Sequence, residues 1–238
     1  MKTLGMIGGV GPMATAYFMQ LIIEMTDARV DQEHIKMIIV NDPQIPDRTD
    51  YLLGRSSKNP YEDMLRIGGQ LLANQADIIA MPCITASVFL DRLAGDLQTE
   101  VINPVRETCE YLERRRITSV GLLATDGTIK HGLFQKYLSE YGIRVHLPDA
   151  EGQQEIMKII YEQIKAGKPV DIECFDSLSY DLRKKGAQVI LLGCTELSLI
   201  RRDGKLGGGY LDVMQVLAKA VVEQCGRLKP EYQELITD

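Results

Sequence analysis

The sequence has few residues of the kinds that build metal sites and disulfide frameworks. Its 238 residues include three histidines and five cysteines, and the cysteines are widely spaced without a Cys-x-x-Cys pair. An odd number of isolated thiols is typical of reduced cysteines in a cytosolic protein, and not of a disulfide scaffold or a zinc site. We therefore expect a cytoplasmic protein that holds no metal ion.

The chain also lacks long apolar runs and an excess of positive charge. Its longest apolar stretches, such as residues 189–192, are far too short to span a bilayer, and its N-terminus lacks the pattern of a secretory signal. The net charge is -6, and no Lys/Arg-rich stripe is present. We expect no partnership with nucleic acid or with a membrane.

What the chain does contain is an alternation of short β-rich runs and amphipathic helical stretches, which is typical of βα units on a parallel sheet. Hydrophobic residues at 45% and charged residues at 25% are the values of a globular protein. We predict strands at residues 3–7, 35–41, 77–81, 101–102, 119–124, 143–147 and 188–192. We predict helices at residues 12–27, 61–73, 86–97, 132–140, 151–166, 172–185 and 213–225.

The alternation starts again near residue 119. LGMI at residues 4–7 matches VGLL at 120–123, and IIAMPCIT at 78–85 matches VILLGCT at 189–195. Two similar blocks in the same order predict two similar lobes. Ligands of such folds bind beyond the carboxyl ends of the strands, so two facing lobes would enclose the ligand in a cleft.

Two of the cysteines follow apolar strands in equivalent places of the two blocks. Cys83 and Cys194 each precede a predicted helix, where backbone N–H groups and the helix dipole favour a thiolate. Cys109, Cys174 and Cys225 fall inside helices and are interpreted as small hydrophobic residues. Two opposed thiols suit the inversion of a carbon centre, because one removes a proton and the other returns a proton to the opposite face.

Candidate binding residues follow several of the predicted strands. Arg48, in a proline-stiffened loop, can hold a carboxylate through two hydrogen bonds or be an ordinary surface arginine. Thr125 either binds substrate or forms a turn, and Thr195 adds a hydroxyl beside Cys194. Lys165 falls near the end of a predicted helix, where a cation is typical of C-terminal capping.

The glycine turn after the first strand has two interpretations. Residues 8–14 read GGVGPMA and resemble a dinucleotide fingerprint, with Asp42 as the acid that would bind the ribose. A short glycine loop at a helix N-terminus also binds other anions, including a carboxylate, so a nucleotide is the minor alternative.

Nucleophilic catalysis by a Cys–His pair is less well supported than proton transfer by two cysteines. His131 is its one candidate after a strand of the second block.

Together these motifs resemble the aspartate/glutamate racemases. The resemblance rests on GxIGG with GP in residues 5–12, PQIPDRT at 43–49, MPCxTA at 81–86, GLLAT at 121–125 and GCTEL at 193–197. It implies an α/β fold of two Rossmann-like lobes with parallel sheets, an active site in the cleft between them, and frequent homodimers. It also implies that the C-terminal helix returns to the first lobe. We therefore assign residues 1–99 and 210–238 to the N-terminal lobe and 100–209 to the C-terminal lobe.

The resemblance also assigns roles to residues. It implies that Cys83 and Cys194 are the acid–base pair of a 1,1-proton transfer that needs no cofactor. It places Arg48 and Lys165 where aspartate-type members clamp the side-chain carboxylate of the substrate.

The segment after Cys83 departs from the family pattern. The resemblance implies that Ile84, Thr85 and Ala86 hold the α-carboxylate through backbone N–H groups and the Thr85 hydroxyl. The family usually shows Cys-Asn-Thr-Ala-His, and here Ile84 and Ser87 replace the asparagine and the histidine. Because the side chain of Ile84 donates no hydrogen bond, this position does not identify the substrate.

The function expected from the sequence is racemisation of aspartate or glutamate without pyridoxal phosphate. Another enzyme of the same superfamily is the first alternative, such as a hydantoin racemase, a maleate isomerase or an arylmalonate decarboxylase. Arg48 and Lys165 favour an acidic amino acid over a neutral hydantoin, and a decarboxylase needs only one of the two cysteines. A non-catalytic ligand-binding protein is the second alternative.

Overall fold

Two parallel sheets form the framework of the chain. The structure, a computed structural model, describes residues 1–204 and 206–236; Lys205, Thr237 and Asp238, which the predicted lobe boundaries include, lie outside the described residues. The first sheet has the order β2-β1-β3 and the second the order β5-β4-β6-β7, with every pair parallel. The strands are β1 (Leu4–Gly8), β2 (Met37–Asn41), β3 (Ile78–Ala80), β4 (Ser119–Leu123), β5 (Arg144–His146), β6 (Val189–Leu192) and β7 (Tyr210–Asp212).

Helices connect these strands and cover the sheets. The α-helices are α1 (Pro12–Met25), α2 (Arg48–Leu52), α3 (Tyr61–Ala73), α4 (Leu90–Leu97), α5 (Pro104–Arg114), α6 (Asp126–His131), α7 (Leu133–Glu140), α8 (Ala150–Lys158), α9 (Ile172–Lys184), α10 (Ser198–Arg202) and α11 (Val213–Cys225). Short 3-10 helices lie at Asp31–Glu33, Thr85–Phe89 and Pro230–Gln233, and a π-helix at Ile159–Ile164 continues α8. No helix among the described residues is long and apolar enough to cross a membrane.

The two sheets repeat one arrangement. In each, the first strand of the block is central: β1 pairs with β2 and β3, and β4 pairs with β5 and β6. The central strands are fully buried, as strands covered by helices on both faces must be. The prediction of a two-lobed α/β fold with parallel sheets is confirmed.

Several elements differ from the sequence-based assignments. Residues 101–102 form a single parallel bridge to β3, between Ile79 and Val101, and not a strand. The helix expected from residue 86 begins as the 3-10 helix Thr85–Phe89 and becomes α-helical at Leu90. The edge strand β7 was not predicted, because three residues after a glycine run carry no periodicity. The predicted helix 151–166 ends in the π-helix, which has no signature of its own in the sequence.

The C-terminal segment joins both halves of the molecule. β7 pairs with β6 in the second sheet, although the division drawn from the sequence places residue 210 and its successors with the first lobe. The following helix, α11, packs against α1 of the first block and against α5. Nearly all of α11 is buried, so it forms part of the core between these helices.

Candidate active site

Two buried cysteines follow equivalent strands, one in each sheet. Cys83 comes after β3 and Cys194 after β6, and these strands pair in the same way with the central strands β1 and β4. The cysteines are 6% and 5% exposed, respectively. They line the same cavity of about 10 Å³, which has room for roughly one water molecule.

The structure brings most of the predicted site residues to this cysteine cavity. Its walls include Arg48, Cys83, Ile84, Thr85, Thr125, Lys165, Cys194 and Thr195. Ala86 does not line it. The Ala86 N–H donates to the Cys83 carbonyl at 3.2 Å, and its side chain is buried in the core behind the site. Ser87 is also buried, and its hydroxyl has no hydrogen-bond partner among the described residues.

A carboxylate that the sequence analysis did not single out lies against Cys194. The Cys194 thiol donates to Glu196 Oε2 at 3.0 Å, and Glu196 is 5% exposed. Burial raises the pKa of the Cys194 thiol well above its usual range, and the charge and hydrogen bond of Glu196 raise that pKa further. The pKa of Cys194 is therefore raised, and not lowered as the position before a helix predicted, because burial of the thiol and the neighbouring Glu196 carboxylate both disfavour the thiolate.

Arg48 is the buried cation on the Cys83 side of the cavity. It is 7% exposed, and its Nη1 donates to the carbonyls of Ile45 at 3.2 Å and Pro46 at 3.0 Å. Burial lowers the pKa of the guanidinium, but the charges of Cys83 and Asp47 outweigh burial and leave that pKa raised. The Arg48 Nε has no partner among the described residues, so a donor remains for a ligand.

Lys165 is the second cation, at the end of the π-helix. Its Nζ lies 3.6 Å from Glu196 Oε1 and 4.8 Å from the centre of the Tyr161 ring. Burial lowers the pKa of Lys165, whereas the charges of Glu196 and Cys194 raise it, and the net shift is upward. Lys165 therefore occupies the C-cap position of the π-helix and also faces the site as a cation.

Tyr161 and Asp47 close the cavity from opposite lobes. The Tyr161 hydroxyl donates to Asp47 Oδ2 at 3.2 Å, while Asp47 also caps α2 by accepting from the Asp50 N–H at 2.9 Å. Burial raises the pKa of Tyr161, as does the nearby Asp47 carboxylate, so the phenol is a hydrogen-bond donor at neutral pH. Sequence reasoning missed both residues. Asp47 lies within the PQIPDRT motif, but Tyr161 has no signal in the sequence.

Threonine hydroxyls from both lobes form a cluster on another wall. The Thr85 and Thr125 hydroxyls are 2.9 Å apart, and the Thr128 hydroxyl lies 3.1 Å from each of them. Each hydroxyl can donate one hydrogen bond and accept others, so the cluster can reorient to donate to a carboxylate.

A wider chamber of about 430 Å³ adjoins the cysteine cavity. The two share Asp47, Arg48, Lys165 and Glu196, and apolar side chains complete the outer wall. Gly11 belongs to this wall with a φ of 107°, and a Cβ there would lie 2.5 Å from Glu196 Oε1. The glycine turn therefore lets the first lobe approach Glu196 closely.

The dinucleotide interpretation of the glycine turn gains no support from its contacts. The Gly9 N–H donates to the Thr15 hydroxyl at 3.0 Å, so it is already engaged. Asp42, the candidate ribose acid, is paired with Arg66 at 3.1 Å. A Cβ on Gly9 would meet the Asp42 backbone at 2.3 Å, so this glycine serves close packing between the ends of β1 and β2.

His131, the candidate partner for Cys–His catalysis, is exposed at the end of α6 and does not line the cysteine cavity.

Comparison with known proteins agrees with this arrangement. A family model described as Asp/Glu/Hydantoin racemase matches residues 7–221. The chain is 24% identical to the broad specificity amino-acid racemase RacX of Bacillus subtilis, over 92% of this chain and 96% of that protein.

Solved structures extend the likeness to the fold. The aspartate racemase of Picrophilus torridus superposes with a TM-score of 0.86 at 29% identity, covering 98% of both chains. A glutamate racemase from Francisella tularensis, in complex with D-glutamate, has the same fold, with a TM-score of 0.68 at 15% identity, over 94% of this chain and 80% of that one. This chain belongs to the Asp/Glu/hydantoin racemase family.

Proposed function

We propose that this protein racemises an acidic amino acid, with aspartate as the first candidate and glutamate as the second, and that the reaction needs no cofactor. The observation that carries the proposal is the pair of buried cysteines, Cys83 and Cys194, which come from equivalent strand ends of two lobes and line one cavity. Membership of the racemase family and the likeness to an aspartate racemase support it.

The proposed chemistry is a proton transfer across Cα. The thiolate of one cysteine takes the Cα proton, so the Cα–H bond breaks, an S–H bond forms, and the electron pair stays on Cα and its carboxylate. The thiol of the other cysteine then gives its proton to the opposite face. The roles of Cys83 and Cys194 reverse for the other enantiomer.

Two cations and a hydroxyl cluster support a dicarboxylic substrate. Arg48 has a free donor at Nε, and the Lys165 ammonium lies 3.6 Å from Glu196, beyond hydrogen-bond distance, so each can pair with a substrate carboxylate. The threonine cluster around Thr85 offers donors to the α-carboxylate. A neutral amino acid would offer a carboxylate to only one of these two cations.

The small cavity indicates that the described state is closed. An amino acid exceeds a space of about 10 Å³, which holds roughly one water. Entry requires the lobes to separate where α2 contacts α6 and where Tyr161 bonds to Asp47. Closure after binding would exclude water and bring both thiols to Cα.

A racemase of broader substrate range is the second candidate. It is favoured by the adjoining chamber of about 430 Å³, whose outer wall includes Met13, Ile45 and Leu199 and can accept a larger or apolar side chain. The broad specificity of the relative from Bacillus subtilis agrees with it. The homodimer and the cytoplasmic location expected from the sequence remain predictions.

The test is incubation of the purified chain with L- or D-aspartate, L- or D-glutamate and neutral amino acids, followed by chiral chromatography. We expect the opposite enantiomer of an acidic amino acid to form without added pyridoxal phosphate, nicotinamide or metal. Cys83→Ala and Cys194→Ala should each lose racemisation, whereas Cys109→Ala, a change in the core away from the site, is their matched control and should remain active. Failure to convert any amino acid, or conversion only with an added cofactor, would contradict the proposal.

A further inference from the structure

The two cysteines lie in opposite electrostatic surroundings. Cys194 donates to a buried carboxylate, Glu196 Oε2, at 3.0 Å, and the Thr195 hydroxyl donates to the same oxygen at 3.4 Å. Cys83 instead shares its side of the cavity with the buried guanidinium of Arg48. A carboxylate favours a neutral thiol next to it, and a guanidinium favours a thiolate.

We propose that Glu196 is a positioning residue that holds the proton on Cys194 in the resting enzyme, so that Cys194 is the resting acid of the pair. This inference rests on the proposed function. It assigns the resting thiol, which the two-cysteine mechanism by itself leaves to either cysteine, to a particular residue. It also gives a role to a buried carboxylate that the proton transfer across Cα does not otherwise use.

The charged and titratable groups around each thiol agree with this assignment. Glu196, Lys165 and Tyr161 face Cys194, and the carboxylate is the group in hydrogen-bond contact with the sulfur. Arg48 acts on Cys83, whereas Lys165 acts more strongly on Cys194 than on Cys83. Asp47 also lines the cavity, beside Arg48, and accepts the hydrogen bond from the Tyr161 hydroxyl. Cys194 is thus the thiol with a carboxylate in direct hydrogen-bond contact.

Lys165 links this arrangement to the substrate. Its Nζ lies 3.6 Å from Glu196 Oε1, an oxygen that accepts no hydrogen bond among the described residues. The distal carboxylate of an acidic substrate would compete with Glu196 for Lys165. Once Lys165 turns to the substrate, Glu196 loses its nearest cation and holds the Cys194 proton more firmly. An acidic ligand therefore reinforces the resting assignment, whereas a neutral ligand does not.

The equilibrium between the two enantiomers determines which kinetic constants can show the difference between Cys83 and Cys194. Two enantiomers are equal in free energy, so kcat/KM must be the same for both at every pH. The preferred resting state therefore changes kcat and KM in compensating ways. We expect the two enantiomers to differ in kcat in the wild type, and the kcat ratio to move toward one in Glu196→Gln, where the charge is removed and the shape is kept.

The direct test is a titration of thiolate ultraviolet absorbance in the full chain. The wild-type curve minus the curve of Cys194→Ala gives the titration of the Cys194 thiol. The Glu196→Gln curve minus the curve of the double variant, Glu196→Gln with Cys194→Ala, gives the titration of the same thiol without the carboxylate. We expect Glu196→Gln to lower the Cys194 midpoint by about 1–3 pH units. Glu196→Asp, which keeps the charge but shortens the side chain, should give an intermediate midpoint. Glu62→Gln, an exposed change on α3, should leave the titration unchanged.

The outcomes separate this inference from the proposed function. An unchanged Cys194 midpoint and an unchanged kcat ratio in an active Glu196→Gln enzyme would overturn the role of Glu196 and leave the racemase proposal intact. A lowered midpoint in a chain that racemises no amino acid would support the role of Glu196 and overturn the racemase proposal. If Glu196→Gln does not fold, Glu196→Asp decides: a midpoint equal to that of the wild type, with an equal kcat ratio, overturns the inference.

Discussion

Replacing Lys165 by methionine should separate recognition of the side-chain carboxylate from the proton transfer itself. Methionine keeps an unbranched apolar stem against the Tyr161 ring and removes the ammonium group, whose Nζ lies 3.6 Å from Glu196. A hydrogen bond to a charged group contributes about 1.5–3 kcal/mol. Because the Lys165 side chain is 28% exposed, solvent screening favours the lower end of that range, about 1.5 kcal/mol.

The loss of about 1.5 kcal/mol corresponds to roughly a tenfold fall in kcat/KM for an acidic amino acid. A neutral amino acid, if it is a substrate, should lose little. The assay is initial-rate racemisation of both substrate classes, and Lys158→Met is the matched control, because Lys158 is a lysine on α8 paired with Glu155 at the surface. Equal losses for acidic and neutral substrates would refute the reasoning and make Lys165 a residue that supports the fold.

Two further changes test other parts of the site, and a third tests the core away from it. Ile84→Asn restores an amide at the cavity wall, and we expect kcat/KM for aspartate to rise about tenfold, by roughly 1.4 kcal/mol; a fall would make Ile84 a wall built for another ligand. Gly11→Ala places a Cβ 2.5 Å from Glu196 Oε1 at a φ of 107°. Urea unfolding should therefore show a free energy of unfolding lower by about 1–3 kcal/mol, and activity should fall. The control is Gly69→Ala, where a Cβ has open space. Cys109→Ala removes a fully buried thiol from the core and should lower the free energy of unfolding by about 0.5–3 kcal/mol, with kcat unchanged.

The repeat in the sequence explains why so much of the fold could be predicted. Cys83 and Cys194 each follow a short, wholly apolar strand, and such strands occupy the interior of a parallel sheet. Because the carboxyl ends of parallel strands lie at one edge of a sheet, their position in the sequence determines the side of the lobe on which the cysteines lie. The α/β class and the two sheets follow from this pattern.

The environment of each thiol could not be predicted in the same way. Glu196 lies two residues beyond Cys194, but a sequence does not show whether its carboxylate turns back to the sulfur or out to solvent. Tyr161 reaches Asp47 from a π-helix, which shifts the direction of side chains relative to an α-helix and has no signature in the sequence. The resemblance assigned Ala86 to the site through its backbone N–H, but within the structure that N–H donates to the Cys83 carbonyl at the start of the 3-10 helix.

The central claim is that the two thiols exchange protons with Cα, and racemisation in heavy water tests it most directly. We predict deuterium at Cα of the product enantiomer, read by mass spectrometry or proton NMR, without any added cofactor. Cys83→Ala and Cys194→Ala should each abolish racemisation, and each should still exchange the Cα proton of one enantiomer, a different enantiomer for each variant, because one thiol survives on one face. A product that keeps its original Cα proton, or full racemisation by Cys194→Ala, would contradict the account.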